Sequence, residues 1–317
     1  MGYSSYLCAR FHQSSIMVNQ KLKGFTCGAL AAATYGMNPL FALPLYAQGM
    51  GVDSVLFYRY FFAIILIGIL MKVQGQSFAL KKSEIVPLAV MGLLFSASSF
   101  FLFISYNYMD AGIASTILFI YPVLVAIIMA VFFHEKVSLL TMFSIALAFV
   151  GISLLCKGDG GKTLNMLGVL FVFLSSLTYA IYMVGINRSF LRELPTAKLT
   201  FYSLLFGILI YVVRLKGCTE LQMVPSPELW VNVVSLALFP TIISLLAMTV
   251  AIHNIGSTFT AILGALEPVT ALFFGVMVFG EQLTPRIVLG IVLVLLAVTL
   301  IIAAKPLAAL AHKRVKH

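Results

Sequence analysis

From residue 24 to residue 304 the chain is a series of apolar runs, each of membrane-crossing length, joined by short polar links. Their approximate limits are 24–46, 53–72, 84–108, 111–133, 138–156, 164–186, 197–214, 228–252, 256–280 and 285–304. A helix of about twenty residues rises ~30 Å, the thickness of a bilayer's hydrocarbon layer. The longest polar interruption, RLKGCTELQMVPSPE, leaves no room for a soluble domain. Hydrophobic residues make up 62% of the chain and charged residues 9%, against roughly 25% charged in a soluble domain. The expected fold is an all-α integral membrane protein with ten transmembrane helices.

One run carries an acid. In GSTFTAILGALEPVTALFFGVMVFGE, residues 256–281, Glu267 stands directly before Pro268, and Glu281 closes the run. A carboxylate at that depth is costly and usually functional. Pro268 lacks an N–H and displaces the carbonyl of Gly264, which adds local polarity beside the acid. The run has a twin at 110–136, DAGIASTILFIYPVLVAIIMAVFFHEK. A shift of 146 positions superposes Pro122 on Pro268 and Glu135 on Glu281, while Tyr121 takes the place of Glu267. At a shift of 144, Thr34 and Tyr35 fall on Thr178 and Tyr179. Five spans per half is an odd number, so the halves must cross in opposite senses, as an inverted repeat. The division expected is 1–23 as a cytoplasmic tail, 24–157 and 164–304 as the two five-helix repeats, and 305–317 as a basic cytoplasmic tail. Met17 is an alternative start.

With the N-terminus inside, 14 Lys and Arg residues fall on the inner side and 5 on the outer, with Arg59 left inside a span. That bias places both termini in the cytoplasm, and it accounts for the net charge of +10 without a nucleic-acid partner. Cys8, Cys27, Cys156 and Cys218 form no CxxC pair, the five histidines form no HExxH, and there is no Walker motif. No metal or cofactor is expected, nor ATP hydrolysis. The expected partners are the lipid bilayer and a small-molecule cargo. A homodimer stays open, since the GxxxG of Gly24 and Gly28 marks a close helix contact without saying with what.

The helix ends YPVLVAIIMAVFFHEKVS and LEPVTALFFGVMVFGEQLT, set in two five-span halves, and Arg59 within LFYRYFFA carry a resemblance. Over residues 24–304 the sequence resembles an EamA-type member of the drug/metabolite transporter superfamily. The resemblance implies a cavity between the halves, lined mainly by helices one, three, four, six, eight and nine. It implies an exporter of small metabolites, amino acids or drug-like compounds, working by alternating access in a bacterial inner membrane.

The candidate cavity residues are Tyr35, Asn38, Ser99, Tyr179, Tyr182, Ser244 and Glu267, with Ser98 and Thr241 as weaker ones. Glu267 could couple protons to cargo, bind a cationic group, or stay protonated and bond the carbonyl freed by Pro268. Arg59 is a candidate for gating. A direct pair with Glu267 is disfavoured by a depth difference of ~12 Å, which leaves snorkelling outward or pairing with Asp53 or Asp110. Tyr182, about one turn from the inner edge, fits an interfacial aromatic belt as well as a cavity. Glu135 and Glu281 are expected to cap the helix that follows each. Pro39, Pro122, Pro240 and Pro268 are the expected helix breakers. Two other classes compete. An intramembrane enzyme needs paired acids, a His/Asp set or a metal cluster at one depth, and a channel builds filters from oligomers.

Overall fold

The computed structural model describes residues 20–135, 138–156 and 165–314. The part of the expected cytoplasmic tail before residue 20, Lys136, the expected outer cations Lys157 and Lys162, and the last three residues lie outside these segments. Among the described residues every regular element is helical. In chain order they are α1 (20–36), α2 (Asn38–Ala47), α3 (Val52–Val73), α4 (Lys82–Ser105), α5 (Ala111–Leu118), α6 (Tyr121–Phe133), α7 (Leu139–Cys156) and α8 (Met166–Arg188). There follow α9 (Thr196–Arg214), α10 (Leu229–Ala237), a wide π-type segment (Leu238–Ile243), α11 (Ser244–Leu263), α12 (Leu266–Phe279) and α13 (Pro285–Arg314).

Eight helices or in-line helix pairs are long and apolar enough to cross a membrane, among the described residues. The sequence predicts ten. The remaining two apolar runs also form helices but fall short of that length: the first is divided at Met37, ahead of Pro39, and the fifth is apolar over Leu139–Leu155.

All four singled-out prolines sit at helix interruptions. Pro39 and Pro122 are in the first turn of α2 and α6, Pro268 is the third residue of α12, and Pro240 lies in the π-type segment. A proline clashes with the carbonyl four residues earlier and cannot donate to it, so that carbonyl needs another donor in an apolar medium. Three of them have one. Tyr35 O accepts from Asn38 Nδ2 at 2.8 Å, and Leu118 O accepts from Ser176 Oγ of α8 at 3.2 Å. Gly264 O accepts from the Glu267 backbone N–H at 2.9 Å. The carbonyl freed by Pro268 therefore bonds the main chain of Glu267, where its side chain was one of the expected partners.

The two helix ends singled out by the repeat have one geometry. α6 ends at His134 in the left-handed region (φ 52°), with Glu135 N–H on Met129 O at 3.2 Å. α12 ends at Gly280 (φ 69°), with Glu281 N–H on Gly275 O at 2.9 Å. Each pair is again 146 residues apart. The bonds close the final turn and leave the next residue, a glutamate in both cases, to project away from the helix.

α4 lies between α8 and α9, α3 packs on α9, α5 on α12, and α7 on α13. Serines stitch these contacts: Ser96 Oγ donates to Gly207 O at 2.8 Å, and Ser175 Oγ donates to Ser98 O at 2.7 Å. Gly24 and Gly28 face α11 within the same chain. A Cβ on Gly24 would meet Ile255 at 2.6 Å, and one on Gly28 would meet Leu263 at 2.5 Å. The GxxxG is thus used inside the bundle.

Candidate functional site

Helices α3, α4, α6, α8 and α9 bring polar and aromatic side chains together. Tyr121 and Tyr179 meet edge to face with ring centroids 4.7 Å apart, and Tyr179 stacks on Tyr182 at 5.8 Å. Phe95 of α4 touches Tyr182 at 5.3 Å, and Tyr60 of α3 packs edge-on against Tyr211 of α9 at 5.1 Å. The Tyr60 hydroxyl shares a 2.9 Å hydrogen bond with Ser99 Oγ. A wall of rings with hydroxyl tips suits cargo that is apolar in body and polar at one end.

Glu267 enters this cluster from α12. The helix is brought close because Gly36 of α1 rests directly on the Glu267 main chain, leaving no space for a Cβ. The Glu267 carboxyl lies within electrostatic range of Tyr35, Tyr106, Tyr121 and Tyr179. Its side chain is half-buried. Among the described residues it makes no salt bridge.

Tyr121 was not among the residues the sequence nominated. The signal was present, since the 146-residue shift places Tyr121 on Glu267. The two side chains lie within electrostatic range of each other.

Arg59 departs from expectation. It does not snorkel: it is 4% exposed, with Cζ 5.2 Å from the centre of the Phe103 ring and the Tyr35 hydroxyl in reach. Asp53 is not its partner either, because Arg214 holds Asp53 through bonds of 2.6 and 3.1 Å. Helix-rise arithmetic says nothing of the face a side chain takes, and α3 turns this one inward.

Other candidates are distributed between packing and site. Ser244 Oγ donates to Ala31 O at 2.8 Å and ties α11 to α1. Tyr182 is 8% exposed and stacked on Tyr179, so it does not belong to an interfacial belt. Ser98 is bound to Ser175 of α8. Asn38 is 3% exposed, and its Oδ1 has no hydrogen-bond partner among the described residues, nor has Thr241 Oγ1.

One of the two helix-end glutamates corrects the reading. Glu281 does not cap the helix that follows it. Its Oε1 accepts from Ala111 N at 2.7 Å, and its Oε2 from Gly112 N at 3.1 Å, at the start of α5 in the other half. Asp110, which stands in the cap position of α5, makes no side-chain cap bond there. The carboxylate fits because it passes over two glycines: a Cβ on Gly112 would meet Oε2 at 2.7 Å, and one on Gly275 would collide with the carboxylate. Partial burial first, then the nearby Asp110 charge, push the Glu281 carboxyl up to about 7, while the two amide bonds pull it down. Burial raises the Asp110 carboxyl as well. Glu135 pairs with Arg188, whose guanidinium also lies 4.7 Å from the centre of the Phe133 ring.

The comparisons with known proteins agree on one kind of molecule. The profile of the EamA-like transporter family matches residues 22–156 and again 166–303. The uncharacterized transporter sll1319 of Synechocystis is 30% identical over 207 residues, 63% of this chain and 61% of that protein. The chain thus spans about three fifths of the length of this relative, and 59% of the Bacillus subtilis uncharacterized transporter YdfC. An uncharacterized transporter of Archaeoglobus fulgidus is 23% identical over 299 residues, covering 92% of this chain and 97% of that one. A solved crystal structure superposes with a TM-score of 0.60 over 95% of this chain and 99% of that chain, at 18% identity. That likeness concerns the fold alone.

Proposed function

The chain belongs to the EamA-like transporter family and is a multi-pass integral membrane protein, and from that premise we propose that it is a secondary transporter that exports small metabolites, amino acids or drug-like compounds across a bacterial inner membrane. Its ten spans form two inverted five-helix repeats with both termini in the cytoplasm. The double match to one family profile, the shared 146-residue geometry of the α6 and α12 ends, and the excess of inner-side Lys and Arg support this arrangement.

One observation carries the mechanism. Glu281, at the end of the ninth span, closes on the first amides of the fourth span, so a bond between the halves seals what the topology makes the outer end. Alternating access requires such a bond to break when the halves rock apart. Glu135 occupies the matching place at the inner end and takes the matching role there. Between them, Glu267 and the tyrosines of both halves form the cargo site. Glu267 exchanges a proton as the site changes sides, which couples export to the proton gradient. A carboxyl moved between a wet opening and a closed apolar bundle changes its preferred protonation state, and this gives the coupling its driving force.

Counterflow tests the carrier reading. Purified protein in liposomes preloaded with a panel of amino acids, organic cations and organic acids should exchange labelled compound against its unlabelled form, with saturation and trans-stimulation. Flux that rises linearly with concentration and shows no trans-stimulation contradicts it, because a carrier has a finite number of sites to turn over.

A further inference from the structure

Arg59 has no salt-bridge partner among the described residues. It lies inside the bundle on α3, and the groups around it are Phe103, Tyr35, Tyr46, Tyr60 and Tyr106. A phenol is neutral at physiological pH. Of the acids around the bundle, Asp53 holds Arg214, Glu84 faces Lys198 at 3.7 Å, Glu135 faces Arg188, and Glu220 faces Lys216 at 2.5 Å, while Glu267 shares the neighbourhood of Tyr35 and Tyr106 with Arg59 but forms no salt bridge with it. Glu281 is spent on the amides of α5. No salt bridge reaches Arg59 among the described residues.

A guanidinium in this medium is strongly destabilising unless an anion joins it. Its five N–H groups form a fixed fork that matches the two oxygens of a carboxylate. Tyr35 links Arg59 to a second open group. Asn38 has its Nδ2 held by the Tyr35 carbonyl at 2.8 Å, which fixes the buried Oδ1 as an acceptor with nothing to accept from.

We propose that Arg59 is an anion-binding subsite of the transport pathway and that the cargo presents a carboxylate to it, with a hydrogen-bond donor on the same molecule meeting Asn38 Oδ1. The assignment rests on the transporter reading and narrows it to carboxylate-bearing cargo. It gives Arg59 a role in recognition, separate from the gating expected of it.

The chain supplies its own reporter. Trp230 is its one tryptophan, and its ring lies 5.6 Å from Tyr58 and 6.1 Å from Phe62, both on α3. Thermal unfolding of the full chain in detergent, followed by Trp230 fluorescence, would be run with acetate, lactate, benzoate and phenylacetate. Each would be paired with its neutral amide, and sodium chloride would be matched for ionic strength. A ligand that binds only the folded chain raises the midpoint. At least one carboxylate should do so, its amide should bind roughly tenfold more weakly or worse, and chloride should not reproduce the shift. Arg59→Gln should abolish the shift, and Arg59→Lys, which keeps the charge without the fork, should weaken it. The proposal is overturned if no carboxylate shifts the midpoint, if acid and amide act alike, if chloride matches them, or if Arg59→Gln keeps the shift. Should that variant not fold, the acid–amide comparison in the wild type decides alone. Counterflow of a neutral or cationic compound that survives Arg59→Gln undiminished would remove the subsite while leaving the transporter intact.

Discussion

The backbone amide of Ala111 and the carboxylate of Glu281 meet at 2.7 Å although 170 residues separate them in sequence. The bond supplies the cap that Asp110 fails to give its own helix. A helix start leaves several N–H groups without partners, and a carboxylate is the best acceptor for them. In the proposed transport cycle this bond stabilises α5 only while the two halves are closed at that end.

Removing the latch should favour the state open on that side. Glu281→Ala loses a cap worth about 1 kcal/mol, which is roughly fivefold in the closed-to-open ratio. In a cysteine-free background, a single cysteine at position 35 should then be labelled roughly fivefold faster from the outer side. Gly275→Ala should act in the same direction, because its methyl group occupies the seat of the carboxylate. Equal labelling rates in wild type and both variants would remove Glu281 from the gate.

The same carboxyl makes stability depend on pH with a definite sign. Its value in the folded chain is about 7, above the ordinary ~4.3 of a glutamate, so the folded state binds the extra proton between these limits. Its contribution is fully present below the ordinary value, declines as pH rises, and is lost above about 7. Asp110, also raised, adds a slope of the same sign. The melting midpoint of the wild type should fall from pH 5 to pH 7.5 more steeply than that of Glu281→Gln. Parallel curves would show that the carboxyl titrates normally.

Ser176 offers a test of the proline breaks. Its hydroxyl is the donor to the Leu118 carbonyl released by Pro122, and it also reaches Val172 O at 2.9 Å. Ser176→Ala leaves a buried carbonyl short of a donor and should cost about 1 kcal/mol, read as a lower melting midpoint in detergent. An unchanged midpoint would mean that another group takes over the carbonyl.

Much of this architecture could be read from residues. The length of the apolar runs, the prolines and the 146-residue echo are local patterns, and each has a direct structural consequence. Contacts between distant segments were less legible. Nothing near Glu281 in sequence says that its acceptor role is played on Ala111 and Gly112, and the nearer choice, the following helix, is the wrong one. Arg59 shows a related limit. Position along a helix gives depth, but which way a side chain turns depends on neighbours from other helices, here Phe103 and Tyr35. Asn38 looked like a cavity residue because polar groups in lipid need partners, and half of its amide proves to be the replacement donor for the carbonyl that Pro39 sets free.

Glu267 bears the central claim, and one substitution tests it most directly. Once counterflow has identified a transported compound, wild type and Glu267→Gln would be compared in liposomes with and without a pH gradient. Exchange of the compound across matched pH should persist in the variant, since the glutamine keeps the shape of the site. Gradient-driven accumulation should occur in the wild type and disappear in Glu267→Gln. A variant that accumulates the compound with the same dependence on the gradient would contradict the account, and would leave Glu267 as a structural acid beside its proline.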